Sequence, residues 1–62
     1  MKIEIKFACD NAAFDNPSAE VRHILNGLAT RINNGHFVVE PGEECKVIDT
    51  NGNTIGTMKV KK

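Results

Sequence analysis

From Lys2 to Ala8 apolar and charged residues alternate: Ile3, Ile5 and Phe7 fall on one side of an extended chain, Lys2, Glu4 and Lys6 on the other. A period of two marks a strand with one wet face. Cys9 to Asn16 drops the period, collects Asp, Asn and small residues, and reads as a loop. Asn16-Pro17 then predicts a helix start, because the Asn side chain can accept from an orphan amide while proline presets the helical φ. Val21, Ile24, Leu25, Leu28 and Ile32 recur at steps of three and four and share one stripe, so the helix is predicted over 17–33. Asn34 and Gly35 can end it in the left-handed conformation. Gly27 interrupts this helix at a cost of about 1 kcal/mol relative to Ala; it either admits another backbone or is a tolerated defect.

His36 to Glu40 is a short β-branched and aromatic run that predicts a strand, closed by Pro41-Gly42 in a type II turn. Asn51-Gly52 between two β-prone runs predicts a hairpin with a two-residue loop. That loop would set Thr50 opposite Asn53, Ile48 opposite Ile55, Lys46 opposite Thr57 and Glu44 opposite Lys59. The other side of the hairpin collects Cys45, Val47, Met58 and Val60, with Gly56 across from Val47. The helix stripe is therefore expected to cover Ile3, Ile5, Phe7, Cys45, Val47, Met58 and Val60. The fold class is α+β: a two-layer sandwich of order βα(β)ββ, with one amphipathic helix packed on a small antiparallel sheet, in a single domain over residues 1–62.

Length and charge narrow what such a domain can do. A chain of 62 residues buries only about 60% of its unfolded surface, which leaves little room for a deep pocket. Eight basic and eight acidic side chains cancel, so attraction to nucleic acid or an anionic membrane has no whole-molecule basis. No stretch has the length and apolar character of a membrane span or a signal sequence, and the expected location is cytoplasmic. Cys9 and Cys45 are then expected as reduced, buried thiols. With His23 and His36 they are potential zinc ligands, but no two stand at the short spacings zinc folds use, so no metal or other cofactor is expected. No nucleophile, base and acid pattern, phosphate loop or metalloprotease motif occurs, and no catalytic residue or enzymatic activity is expected.

What remains is surface. The sheet face away from the helix gathers Lys2, Lys6, Lys46, Lys59 and Lys61, with Lys62 adjacent, against Glu4 and Glu44. Six positive and two negative charges make it +4, and the rest of the neutral chain −4. Such a face can track phosphates, can be a solvated sheet whose lysines discourage edge pairing, or can meet a protein. With no Tyr or Trp and no row of Phe7, Phe14 and Phe37 on that side, nucleic-acid stacking lacks its platform. Ile48 beside Ile55 would add an apolar contact near the hairpin tip. The candidate partner-binding residues are thus Lys46, Ile48, Ile55 and Lys59 on the open face, or Glu40, Glu43 and Glu44 in the acidic loop. The chain would bind as a monomer or homodimer.

The combination Asp10-Asn11-Ala12-Ala13-Phe14, then Glu20-Val21-Arg22 with Ile24-Leu25, then Asp49-Thr50-Asn51-Gly52-Asn53 with Ile55-Gly56 resembles a group of short proteins encoded by bacteriophages and prophages. The resemblance carries over no catalytic or ligand residue. It implies a small binding protein in the bacterial host cytoplasm whose partner is a host or phage protein. The leading class is inhibition of a host defence or regulatory protein, a CRISPR-Cas complex for example. The alternative is a nucleic-acid or nucleoprotein accessory module using the lysine face.

Overall fold

The computed structural model describes residues 1–62. Strand β1 (Lys2–Phe7) leads through a 3₁₀ turn (Ala12–Phe14) into helix α1 (Pro17–Asn33), and β2 (Glu44–Ile48) and β3 (Thr54–Lys61) form the closing hairpin. The sheet order is β1-β3-β2, antiparallel throughout, so the last strand is the central one. This is the expected α+β arrangement of one helix on a small antiparallel sheet.

The helix has the predicted limits for the predicted reasons. Asn16 Oδ1 accepts from the Ala19 amide at 3.2 Å and Pro17 occupies the first turn. At the other end Gly35 takes a φ of 77°, while Asn34 stays at −90°. The His36 and Phe37 amides both donate to Arg31 O, at 2.8 and 3.2 Å. Those bonds explain why the strand expected over 36–40 does not form: its first amides serve the helix end, and the Glu40 amide turns back onto Val38 O at 3.0 Å. Phe37 is instead a buried plug. The Pro41-Gly42 turn is of the expected kind, with Gly42 at φ 96° and the Glu43 amide donating to Glu40 O at 3.1 Å.

The hairpin loop has three residues, Thr50 to Gly52, where two were expected. Gly52 N donates to Asp49 O and Asp49 N to Asn53 O, both at 3.0 Å, and Gly52 alone in the loop has a positive φ, 83°. The cause is Asp49, whose Oδ1 accepts from the Asn51 and Asn53 amides at 3.0 and 2.9 Å and holds an ordinary turn that left-handed Gly52 then corrects. The register survives for Glu44 with Lys59 and Lys46 with Thr57, but shifts after Val47, so Ile48 faces Thr54 and not Ile55. The bulge leaves Ile55 half-buried against the core, and no exposed Ile48 and Ile55 pair exists.

The core consists of Phe14, Ile24, Leu28, Phe37, Val47, Met58 and Val60. It corrects the expected one in a consistent direction. α1 packs against β2, one edge of the sheet. Ile3 and Ile5 pair with Val60 and Met58 and so lie on the helix-side face, yet they belong to the opposite edge and stay 47% and 41% exposed. Leu25 and Ile32 are likewise exposed, at 45% and 41%. Phe14 and Phe37, from the connecting segments, complete the core instead. Cys9 is exposed just past β1 and Cys45 is half-buried, so the first thiol is open to reagents. At the centre of the sheet Gly56 faces both Phe7 and Val47, and a Cβ there would fall 1.8 Å from Lys6 O, so only glycine fits.

Candidate interaction surface

With α1 on one side, the other face of the sheet is bare, and its composition follows from the register. Across the strands run Lys2 with Lys61, then Glu4 with Lys59 and Glu44, then Lys6 with Thr57 and Lys46. Two ion pairs form: Lys61 Nζ to Glu4 at 3.0 Å and Lys59 Nζ to Glu44 at 3.9 Å. The Lys61 ammonium, by its hydrogen bond and then by its charge, holds the Glu4 carboxyl below its ordinary range against an opposing desolvation, and Lys6 and Lys2 add to the effect. Exposed pairs of this kind contribute about 0–1 kcal/mol each. Lys2, Lys6, Lys46 and Lys62 are left without an anionic partner.

Of the predicted site residues, Lys46 and Lys59 lie on this face and Glu44 is joined to Lys59 there. Glu40 and Glu43 are exposed at either end of the Pro41-Gly42 turn. Ile48 sits at the end of β2 and lines a groove of about 180 Å³ with His23, Gly27, Leu28 and Arg31 of α1. Arg31 Nη1 crosses this groove to donate to Lys46 O at 3.0 Å. Gly27, with nothing within 4 Å of where a Cβ would stand, widens the groove and meets no other backbone. Ile55 belongs to the core side.

Periodicity gave no hint of the polar clasp at the hairpin end. Glu20 is buried and accepts from both the amide and the hydroxyl of Thr50, at 2.9 and 2.6 Å. Asp49, also buried, accepts from Asn11 Nδ2 at 2.6 Å and Asn53 Nδ2 at 3.3 Å besides its two amides. Burial pushes the Asp49 carboxyl up, but the Asn53 amide, the Asn11 and Asn53 side chains and the Asn51 amide outweigh it and leave the group below its ordinary range. No buried side-chain polar atom lacks a partner. A visible signal was Asp-x-Asn-Gly-Asn, a run whose first carboxylate can cap its own turn. The segments around Asn11, Glu20 and Asp49 to Asn53 thus hold the fold together.

The chemistry this surface offers is attraction of anionic groups by ammonium side chains, with an apolar anchor at the Ile48 groove. No group of three or more His, Cys, Asp or Glu side chains converges as a metal site would require. No helix is long and apolar enough to cross a membrane. No protein-family model, curated protein or solved structure matches the chain.

Proposed function

We propose that the chain is a small non-enzymatic binding module of phage type, acting in the bacterial host cytoplasm. It docks on an acidic surface of a host defence or regulatory protein, as an inhibitor of a CRISPR-Cas complex would. The observation that supports this reading is the bare sheet face, on which Lys2, Lys6 and Lys46 have no anionic partner, with Lys46 two residues along β2 from the groove edge at Ile48. Lysines in solvent contribute mainly steering and specificity. Affinity needs a desolvated anchor, which the groove edge supplies. A protein with acidic and apolar groups side by side matches both features, whereas single-stranded nucleic acid would ask for aromatic side chains among the lysines, and Phe14 and Phe37 are buried on the other side.

The test is affinity capture from host lysate with the parent and with a K2E/K6E/K46E variant, then titration of the captured protein once purified. The variant should keep its melting temperature and lose binding by at least about tenfold; Ile48→Asp should do the same. Equal binding by the charge-reversed variant refutes the proposed face. Submicromolar binding of DNA or RNA that persists at physiological salt refutes the protein partner.

A further inference from the structure

The two edges of the sheet are finished differently. On β2 the backbone groups of Lys46 point outward, since Val60 bonds toward that strand and Cys45 and Val47 face Met58 and Gly56. There Arg31 caps the Lys46 carbonyl. On β1 the Ala8 amide bonds to Ile55 O of β3 at 3.1 Å. Because the donors and acceptors of an antiparallel ladder alternate in direction, Lys2, Glu4 and Lys6 also face β3, and Ile3, Ile5 and Phe7 present theirs to the free edge. No other segment reaches that edge.

The same strand leaves Ile3 and Ile5 uncovered, and Leu25 and Ile32 are exposed on the flank of α1 away from β2. The chain exposes 4305 Å², where a compact monomer of 6.8 kDa exposes about 3,950 Å². A free edge with an apolar helix-side face calls for another strand, and the charges on its outer face say which.

We infer that β1 pairs antiparallel with β1 of a second copy about a two-fold axis at Ile5, forming one continuous six-stranded sheet. In this register Ile5 faces its own equivalent and Ile3 faces Phe7 of the other copy. Each facing pair exchanges two backbone hydrogen bonds from groups now unpaired. On the outer face Glu4 of each copy stands opposite Lys6 of the other. An axis at Glu4 would oppose Glu4 to Glu4 and Lys2 to Lys6, and like charges directly opposite are destabilising. An axis at Ile3 also matches charges, Lys2 to Glu4, but runs off the strand onto Met1. The two-fold is perpendicular to the sheet, so both helices lie on one face and both lysine faces on the other, which doubles the basic surface. The inference does not rest on the proposed function, but Lys6 takes part in both, so the K2E/K6E/K46E variant is expected to weaken the dimer as well and its binding is compared with that of Lys46→Glu alone.

Sedimentation velocity over a concentration series tests it. The parent should shift from monomer to dimer as concentration rises. Ile5→Pro removes an outward amide and no β1–β3 bond, so it should leave a folded monomer by circular dichroism. Glu4→Lys should raise the dissociation constant by at least about tenfold, and the swap E4K/K6E, which restores opposite charges across the axis, should recover most of it. The proposal is overturned by a parent that stays monomeric up to millimolar concentration. It is equally overturned if Ile5→Pro dimerises as the parent does, or if the swap is no better than Glu4→Lys alone.

Discussion

At the hairpin end of the molecule, carboxylates are buried: Glu20 and Asp49 tie the helix, the loop at Asn11 and the turn at Thr50 into one hydrogen-bonded unit. Along β1, isoleucines are exposed, although they alternate with charges as regularly as any strand residues could. Burial in this domain is thus set by where segments converge, and hydropathy decides only which face of a segment turns inward. Three segments meet at the clasp and enclose polar groups whose partners come from those same segments. Only β3 meets β1, and the helix lies over the far edge.

That contrast is sharpest in a pair of leucines one helical turn apart. Leu28 is buried between α1 and the sheet, while Leu25 is 45% exposed on the flank away from β2. Leu28→Ala should cost about 2–5 kcal/mol, enough to unfold much of the population of so small a domain. Leu25→Ala should cost under about 1.5 kcal/mol, because much of its side chain is already in water. Urea melts of both variants decide it. Equal losses would mean that the helix rests on β1 as well as β2.

The difference between these leucines also shows how far the sequence could be read. The helix limits, the Pro41-Gly42 turn and the face assignment of the strands up to the bulge at Val47 and Ile48 followed from spacing and from local chemistry, which act within a few residues. The reach of the helix across the sheet did not, since Val21, Leu25 and Ile32 satisfy the stripe as well as Ile24 and Leu28 do. Which part of a wide stripe is covered depends on Phe14 and Phe37, and these come from segments without periodicity. The hairpin register failed for a related reason. Asn51-Gly52 favours a two-residue loop in isolation, and the Asp49 side chain overrides it by bonding two of the amides. The lysine face was legible, since alternation alone places it. The groove at Ile48 was not, because it forms between α1 and β2 and depends on where the helix lies across the sheet.

Acid acts on the buried clasp and, through one exposed ion pair, on β1, and the clasp is expected to carry the larger effect. Asp49 titrates below its ordinary range in the folded chain, so its contribution is present above the unfolded aspartate value of about 4 and is lost as pH falls through the lower folded value. The melting temperature should therefore drop as pH is taken below about 4, and Asp49→Asn should flatten that drop while lowering the melting temperature at neutral pH. Glu4 is also held low by Lys61, so Glu4→Gln is the control for the opposite side. If Glu4→Gln flattens the profile more than Asp49→Asn does, the ion pair on β1 and not the clasp carries the acid sensitivity.

The smallest expected effect tests the groove that lies between these regions. Gly27 occupies a regular helical position with open space where a Cβ would be, so it brings only the propensity cost of glycine and no packing benefit. Gly27→Ala should stabilise the fold by about 0.5–1 kcal/mol, visible as a rise of several degrees in melting temperature for a chain of this length. The added methyl also enters the groove lined by His23, Leu28, Arg31 and Ile48. A variant that is more stable yet binds the captured partner more weakly would place the partner's anchor in that groove. A variant that is more stable and binds unchanged would confine recognition to the lysine face, and one that is less stable would show that something in the native protein packs against Gly27 after all.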